Sequence, residues 1–268
     1  MKLTDDQITR YSRQIILKEV GGVGQKKLLD AKVTLVGLGA LGSSVAYYLV
    51  AAGIGKLKIV DFDIVKLSNL HRQILHFTND IDRLKTQSAI EKLNKINPDC
   101  EIIVISEIMN SNNSKQILNG SDFVIDGSDN LPTKMLINDT CISLGIPFTI
   151  AGVLRFHGQL MTVLPKEKTT CYRCVFGEMT QGDSQMSCSQ AGVIGFVPGI
   201  IGCIEANEAI KYILNIGELI TNKLLYIDLL RNDFNFVKVN RDKDCIACGD
   251  NSEDLVKKIS YGIDNICH

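Results

Sequence analysis

The sequence lacks any large imbalance of charge. Its 29 lysines and arginines are matched by 30 aspartates and glutamates, so the formal net charge is -1, and no block of like charge stands out. A broad basic surface for DNA or RNA is therefore not expected, and no nucleic-acid partner is predicted. The first residues, MKLTDDQITRYSRQ, lack the apolar run of a secretory signal, so we expect a cytoplasmic protein.

Internal repeats, Ser/Pro-rich linkers and low-complexity tracts are also missing. The chain has 268 residues, of which 45% are hydrophobic and 22% charged, as is ordinary for a globular protein. This length is enough to bury one good core. We therefore expect a single domain over residues 1–250, followed by a tail, residues 251–268, to which the sequence assigns no role.

One long run, residues 33–55, contains no charged side chain and is long enough to span a membrane. The run contains five glycines, however, and no second long apolar run accompanies it. We therefore interpret 33–36 as a buried strand and 41–52 as a helix packed on that strand. No membrane partner is predicted.

The apolar pattern predicts an α/β fold. Thr4-x-x-Gln7 is typical of a capping box, and it predicts a first helix that runs to about Leu17. From Lys32 onward, short apolar strands alternate with amphipathic helices, which indicates a parallel sheet covered on both faces. After Gly152 the segments GQLMTVLP and KLLYIDLLRNDFNFVKVN are typical of antiparallel strands. We predict a Rossmann-like, mostly parallel sheet that antiparallel strands continue.

The segment GLGALG places Gly37, Gly39 and Gly42 between a predicted strand and a predicted helix. Glycines in this position permit a tight turn and let backbone N–H groups approach a phosphate at the positive end of the helix dipole. Asp61 ends the next strand, where a carboxylate can accept hydrogen bonds from ribose hydroxyls. In this context the pattern predicts a nucleotide site. The alternative is a strand–helix turn that needs glycine for packing alone.

The residues after Asp61 bear on which nucleotide is bound. Polar and basic side chains follow at Asp63, Asn69, Arg72, Gln73 and Lys85. Hydride transfer does not need such a set, whereas adenylyl transfer needs cations that stabilise negative charge on the phosphate oxygens. We therefore favour ATP. An NAD(P)-dependent oxidoreductase, which GLGALG and Asp61 alone would favour, remains the alternative.

The nine cysteines point to metal or thiol chemistry in a reducing compartment, and four of them form two CxxC pairs. The pairs are Cys171 with Cys174 and Cys245 with Cys248, and each lies near a predicted turn. Two such pairs complete a tetrahedral Zn²⁺ site. Because no histidine or acid is at hand for an open position, we predict a structural zinc. The alternatives are two unrelated pairs or one redox-active pair.

Several segments occur in the order found in the ThiF/MoeB/HesA family, whose members are relatives of the ubiquitin-activating enzymes. These segments are RYSRQIIL, VGLGALGS, DFDIVKLSNLHRQILH, DRLKTQ, GSDN, CYRC, CSQAGVIGFVPGIIGCIEANEAIKYIL and CIACG. The resemblance covers about residues 3–249. It implies an adenylyltransferase that uses ATP and Mg²⁺ to activate the C-terminal Gly-Gly carboxylate of a small ubiquitin-like sulfur-carrier protein.

The resemblance also implies roles for individual residues. It assigns the ATP phosphates to Gly37, Gly39, Ala40 and Gly42, and the ribose to Asp61. A segment over the nucleotide would consist of Ser68, Asn69, Leu70, His71 and Arg72. Arg72 and Lys85 would neutralise the phosphates. Ala40 departs from a frequent third glycine, and His71 stands where glutamine is common.

Further implied roles lie outside that segment. Asp129, in GSDN, would hold magnesium, and Asn130 would adjoin the nucleotide. Arg13, in RYSRQ, resembles an arginine that reaches into the site of a partner subunit, which implies a homodimer. The three cations and Asp129 together argue against two other hypotheses, the oxidoreductase and a zinc-stabilised binder of ubiquitin-like proteins that has lost turnover.

Cys188 lies in a polar stretch, QGDSQMSCSQAGVIG. In the resembled family a cysteine at this place can form a thioester or acyl-disulfide link with the carrier. An adenylate is a good acylating agent and a thiolate a good nucleophile, so the step is chemically sound. The alternative is an inert thiol. No rhodanese-like segment follows residue 249, so we expect a separate persulfide protein to donate sulfur in a thiamine or molybdopterin type pathway.

Overall fold

The structure is a computed structural model, and it describes residues 3–177 and 192–263. A single eight-stranded sheet forms its centre. The strands in chain order are β1 (Lys32–Val36), β2 (Lys56–Val60), β3 (Glu101–Ile105), β4 (Phe123–Asp126), β5 (Phe148–Leu154), β6 (His157–Val163), β7 (Lys223–Asp228) and β8 (Asp233–Lys238).

The order of the strands across the sheet is β3-β2-β1-β4-β5-β6-β7-β8. Pairing is parallel from β3 to β5. It is antiparallel from β5 to β8. The prediction of a parallel sheet that antiparallel strands continue is confirmed. The chain reverses direction across the sheet at β1, because β2 and β4 lie on opposite sides of it, and ligands of such folds bind at this switch point.

Helices cover both faces of the sheet. In chain order they are α1 (Asp5–Arg10), α2 (Ser12–Ile15), α3 (Gly21–Asp30), α4 (Ala40–Ala52), α5 (Lys85–Ile96), α6 (Ser114–Leu118), α7 (Leu131–Leu144), α8 (Tyr172–Phe176) and α9 (Phe196–Leu214). One core cluster joins β1 and β2 to α3, α4, α5 and α9. A second cluster, on the opposite face of the sheet, joins β4, β5 and β6 to α6, α7 and the four cysteines of the CxxC pairs.

The first helix is shorter than predicted. The capping box is present, with the Gln7 N–H donating to Thr4 Oγ1 at 3.2 Å and the Thr4 N–H donating to Gln7 Oε1 at 3.1 Å. The helix ends at Arg10, however, and α2 begins after Tyr11. The break lets Tyr11 bury its ring, where its hydroxyl accepts from Asn97 Nδ2 at 2.8 Å. This distant contact outweighs the local helical pattern.

The uncharged run forms a strand and a helix, as predicted. β1 occupies its first residues, and α4 ends at Ala52 and is capped by Gly53, whose φ of 89° suits glycine. None of the described helices is long and apolar enough to cross a membrane. The segment GFVPGIIGCIEANEAIKYIL is helical from Phe196 onward. Gly202 lets this helix approach α4 closely, since a Cβ there would lie 2.3 Å from Ser44 Oγ.

Candidate functional site

Two glycines of the predicted turn are required by the backbone. Gly37 has a φ of 95°, and a Cβ on it would lie 2.7 Å from the Gly127 carbonyl oxygen. A Cβ on Gly42 would lie 2.0 Å from the Gly37 carbonyl oxygen. Gly39 is different, because the nearest atom to its Cβ position is Gln73 Nε2 at 3.7 Å. Packing within the protein therefore does not explain Gly39, although its ψ of -146° favours glycine, and the space around its Cβ position is open apart from Gln73.

The N-terminus of α4 faces this open space. Gly39 is its N-cap residue and makes no side-chain capping bond, and the first turn has no acidic residue. The first N–H groups of a helix lack partners within the helix and carry partial positive charge. Together with the absent side chain of Gly39, they make a cradle that suits a phosphate group.

Asp61 joins the turns that follow β1 and β2. Its Oδ2 accepts from the Leu38 N–H at 2.7 Å, and its Oδ1 accepts from the Asp63 N–H at 2.8 Å. Burial raises the pKa of Asp61, although the charge of Lys85 and these two backbone bonds act in the opposite direction. The carboxylate keeps lone pairs for a further donor such as a ribose hydroxyl. It also fixes the Leu38 N–H, a role that the sequence did not predict.

Lys85 acts on Asp61 through its charge, Arg72 precedes Gln73, which lies next to Gly39, and both cations have partners. Lys85, only 6% exposed, donates from Nζ to Asp63 Oδ2 at 2.7 Å. Burial acts to raise the pKa of Asp63, but the hydrogen bond and charge of Lys85 hold it below its usual value. Arg72 Nη1 donates to the Ser68 carbonyl at 2.9 Å and lies 2.8 Å from His71 Nε2. A phosphate would have to exchange with these partners.

The segment that carries Arg72 is packed from two sides. A short 3-10 helix, Leu67–Asn69, leads into it, and the Asn69 side chain accepts from the Lys66 N–H at 2.9 Å. Leu70 is half-buried, and Gln73 is buried with its Oε1 lacking a hydrogen-bond partner among the described residues. Gly195, before α9, contacts the backbone of His71, because a Cβ on it would lie 2.3 Å from that carbonyl oxygen.

The GSDN loop follows β4. Asp129 is exposed, and Asn130 caps α7 by accepting from the Thr133 N–H at 2.9 Å. The sequence missed the brace beneath this loop. Lys134 Nζ, buried, donates to Asp126 Oδ2 at 2.6 Å, to the Ser128 carbonyl at 2.8 Å and to the Ala151 carbonyl at 2.6 Å.

Asp126 is the polar end of the otherwise apolar strand FVID. Nothing in the local sequence pairs it with Lys134.

Arg13 lies at the other end of α4. It is exposed on α2 and has no partner among the described residues. Its neighbour Gln14 donates from Nε2 to the carbonyl of Ala52, the last residue of α4, at 3.1 Å. The 13 residues of α4 separate that end from the glycine turn, by about 20 Å at the rise of an α-helix. The structure does not bring Arg13 to the glycine turn of its own chain.

The two CxxC pairs come together. The Sγ atoms of Cys171, Cys174, Cys245 and Cys248 all lie within 4.8 Å of one another. Individual separations are 3.7 Å for Cys171 with Cys174, 3.7 Å for Cys171 with Cys245 and 3.4 Å for Cys174 with Cys248. Four thiolates bound to zinc at about 2.3 Å lie about 3.8 Å apart in a tetrahedron. The group therefore fits one metal ion.

The C-terminal tail is tied to this cysteine group. Arg173, between Cys171 and Cys174, donates from Nε and Nη2 to the Asp139 carboxylate at 2.8 and 2.7 Å. The Tyr261 hydroxyl donates to the same carboxylate at 2.6 Å, and Tyr261 is buried. The described part of the tail, residues 251–263, thus packs against the core, which the sequence did not predict. Cys188 lies outside the described residues.

Comparisons with known proteins agree with this geometry. Residues 11–247 match the family model for the ThiF family. The chain is 39% identical to the SAMP-activating enzyme E1 of Haloferax volcanii, with 97% of this chain and 96% of that protein covered. It is 39% identical to a sulfur carrier protein adenylyltransferase of Thermus thermophilus, with 93% and 94% covered.

Other relatives are longer, and the solved structures share the fold. The chain is 40% identical to the adenylyltransferase and sulfurtransferase MOCS3 of Xenopus laevis but covers only 56% of it. Crystal structures of E. coli MccB resemble the chain, including one with ATP at a TM-score of 0.78, 24% identity, and 89% and 74% of the two chains covered.

Proposed function

This chain belongs to the ThiF family, and on that premise we propose that it catalyses ATP-dependent adenylylation of the C-terminal Gly-Gly carboxylate of a ubiquitin-like sulfur-carrier protein. The observation that carries the proposal is the open Gly39 cradle, with the segment that contains Arg72 and the Lys85–Asp63 pair next to it. Named relatives of nearly equal length act in the same chemistry: one is called a sulfur carrier protein adenylyltransferase and another a SAMP-activating enzyme E1.

The reaction follows from charge. A carrier carboxylate oxygen attacks the α-phosphorus of ATP, a new P–O bond forms, and the bond to the bridging oxygen breaks as pyrophosphate leaves. Negative charge grows on the phosphate oxygens during this step, and preorganised cations lower its energy. Arg72 and Lys85 supply the positive charge. Arg72 would leave the Ser68 carbonyl, and Lys85 would leave Asp63, to bind phosphate oxygens instead. Asp61 accepts from the ribose.

Hydride transfer needs neither Arg72 nor Lys85, and the named relatives carry out adenylyl transfer. The oxidoreductase alternative is therefore disfavoured.

Magnesium would bind at Asp129. Its carboxylate is exposed at the carboxyl end of β4 and has no partner among the described residues, and Mg²⁺ prefers oxygen ligands of this kind. When bound, the ion neutralises charge on the departing phosphates. Lys134 and Asp126 hold the loop that presents Asp129, so the position of the ligand depends on a buried ion pair.

The metal in the cysteine group is proposed to be zinc, with a structural role. Four thiolates leave no open position for a substrate or water, as in closed zinc sites. The ion would join α8 to the segment around Cys245, and thereby hold the C-terminal part of the chain against the core. The Arg173–Asp139 ion pair orients the turn that carries Cys171 and Cys174, although neither of its residues would bind the metal.

A homodimer would complete the ATP site. Arg13 is exposed and lies about one α4 length, roughly 20 Å, from the glycine turn of its own chain. It can therefore reach such a turn only on a second chain. Exposed apolar side chains on the same end of the molecule, Ile16, Leu17 and Val23, give that end an apolar surface.

Sulfur transfer follows adenylylation. A thiolate attacks the carrier's acyl carbon, forming a C–S bond and releasing AMP. Cys188 is proposed for this step, which gives a thioester. The persulfide of a donor protein in the cytoplasm then displaces the Cys188 thiolate and forms an acyl disulfide. The freed Cys188 thiolate cleaves the S–S bond of the acyl disulfide, which releases the carrier thiocarboxylate and leaves a disulfide between Cys188 and the donor protein. The Cys188→Ala variant should keep pyrophosphate exchange and lose thiocarboxylate formation. Full thiocarboxylate formation would mean that an external persulfide attacks the adenylate directly.

The test of the main reaction is exchange of labelled pyrophosphate into ATP in the presence of a recombinant ubiquitin-like carrier that ends in Gly-Gly. The matched control is the same carrier without its last glycine. We expect exchange only with the intact carrier. Absence of exchange with several intact carriers, or consumption of reduced nicotinamide measured by absorbance, would overturn the proposal.

A further inference from the structure

His76 makes two hydrogen bonds although it is almost fully buried, with 3% of its surface exposed. Its Nε2 lies 3.0 Å from the Leu38 carbonyl oxygen, and its Nδ1 lies 2.8 Å from Ser88 Oγ. A carbonyl oxygen can only accept, so Nε2 must carry the hydrogen and Nδ1 must accept from the Ser88 hydroxyl. Burial lowers the pKa of His76 to about 4, so the ring is neutral near pH 7.

The hydrogen bonds behind the ring are compatible with this tautomer. Lys92 Nζ donates to Ser88 Oγ at 2.9 Å, so the Ser88 oxygen accepts there, and its hydroxyl hydrogen is shared between His76 Nδ1 and the nearby Asp80 carboxylate. Lys92 is itself held by the buried Asp80 carboxylate at 2.5 Å. Lys92, Ser88 and His76 thus form a row of hydrogen-bonding groups, and the last hydrogen bond, from His76 Nε2, is donated to Leu38 in the glycine turn.

Leu38 lies between Gly37 and Gly39, so both of its backbone polar groups matter for the cradle. Asp61 accepts from its N–H, and His76 donates to its carbonyl. The Leu38 carbonyl and the Gly39 N–H belong to one planar trans peptide unit, in which the two groups point in opposite directions. A carbonyl directed at His76 therefore directs the Gly39 N–H away from His76.

This peptide unit would otherwise rotate easily. Glycine accepts positive and negative φ about equally, so a flip of the Leu38–Gly39 peptide meets little steric resistance at Gly39. After a flip, the carbonyl oxygen would take the place of the N–H and would repel a phosphate. The missing side chain that makes room for the phosphate thus also makes the peptide mobile.

We propose that His76 is a positioning residue that locks the Leu38–Gly39 peptide with its N–H toward the nucleotide phosphates. This inference rests on the proposed use of ATP. His76 does not touch the nucleotide; it acts through the Leu38 carbonyl. The lock acts on phosphate binding and leaves the adenosine part of the nucleotide, which meets Asp61, unaffected.

The test compares ATP and adenosine binding by calorimetry in the full chain. His76→Phe keeps the ring shape and removes both bonds, whereas His76→Gln keeps an N–H donor at similar reach. Thr140→Val is the control, because it removes a buried hydrogen bond to Ser114 Oγ, 3.0 Å long, outside the site.

We expect His76→Phe to weaken ATP about 10- to 100-fold, as for loss of one bond to a charged group, with adenosine affinity unchanged. His76→Gln should recover most of the ATP affinity, and KM for ATP in exchange should follow the same order.

Equal loss of ATP and adenosine affinity in His76→Phe, or ATP affinity as in the wild type, would overturn the inference. So would failure of His76→Gln to recover ATP affinity while its melting temperature stays near that of the wild type. If Thr140→Val weakens ATP as much as His76→Phe does, the effect is general destabilisation and the inference is wrong. Wild-type protein that binds no ATP would instead refute the proposed function itself.

Discussion

Replacing Gly39 by alanine distinguishes two hypotheses: that the glycine turn binds a phosphate, and that it needs glycine only for packing. The new Cβ would meet only Gln73 Nε2, at 3.7 Å, which is ordinary van der Waals contact. The φ of Gly39 is -76°, which suits any residue, but its ψ of -146° lies outside the extended region that an alanine prefers. The free energy of unfolding should therefore fall by only about 1 kcal/mol, because the strain at this ψ is partly offset by the lower entropy of the unfolded alanine chain.

Nucleotide binding should respond in the opposite way. The methyl group would occupy the space over the first N–H groups of α4, where a phosphate sits in the proposed site. Losing even one hydrogen bond to a charged phosphate costs about 1.5–3 kcal/mol. We therefore expect ATP affinity to fall by about 10- to 150-fold. Adenosine, which has no phosphate, should bind as in the wild type.

Gly42→Ala is the matched control. Its Cβ would lie 2.0 Å from the Gly37 carbonyl oxygen, so the backbone must move. Such overpacking costs about 3 kcal/mol, which corresponds to a melting temperature lower by about 10 °C. Thermal melting and calorimetry on the two variants give the result. Gly39→Ala that binds ATP normally would refute the cradle, and Gly39→Ala that melts as early as Gly42→Ala would establish the packing alternative.

Further predictions concern metal, assembly and pH. Asp129→Ala should abolish pyrophosphate exchange with an unchanged melting temperature; retained exchange would remove Asp129 as the magnesium ligand. One zinc per chain should be found by metal analysis, and Cys174→Ser should lose it together with thermal stability, because binding a structural zinc is coupled to folding; a zinc content well below one would contradict this. Arg13→Ala and Arg72→Ala should each be inactive, and mixing them should restore part of the activity through one intact hybrid site; no recovery in demonstrated mixed dimers would exclude action across the dimer. Finally, the pKa of His76 is lowered from 6.5 to about 4 by burial, so the unfolded chain binds a proton that the folded chain does not. Stability should therefore fall by up to about 3 kcal/mol as the pH falls from 6.5 to 4. His76→Gln should flatten this part of the pH–stability curve, because it removes the titrating ring and keeps the charged neighbours of His76, which are Asp80, Lys85 and Lys92. An unchanged curve would show that His76 does not cause this pH dependence.

The sequence predicted those features that depend on neighbouring residues. The strand, glycine turn and helix of residues 33–55 follow from local periodicity and from glycine conformations. The Thr4 capping box depends on residues three positions apart. Even the cysteine group was predictable, because each CxxC pair is a local turn that offers two thiols and only the pairing of the two turns is distant.

Features that depend on distant partners could not be predicted. The helix breaks at Tyr11 because the Tyr11 hydroxyl accepts a hydrogen bond from Asn97. The loop that carries Asp129 is held because Lys134, in α7, donates to Asp126 at the end of β4. The direction of the Leu38 peptide depends on a ring 38 residues later. In each case the local pattern was compatible with another structure, and a buried polar contact decided between them.

The two proposed phosphate cations show how such contacts matter for catalysis. Lys85 already has the Asp63 carboxylate, and the lowered pKa of Asp63 marks that pair as favourable. ATP therefore gains little ground-state affinity from Lys85, since one anion replaces another. Charge that grows on the phosphate oxygens in the transition state has no counterpart on Asp63, so Lys85 favours the transition state over bound ATP. Interactions of this differential kind raise kcat rather than lower KM. Lys85→Ala should accordingly lose exchange rate by on the order of a hundred-fold while its ATP dissociation constant stays within a few-fold of the wild type; a large loss of ATP binding with an unchanged kcat would show that Lys85 serves binding instead.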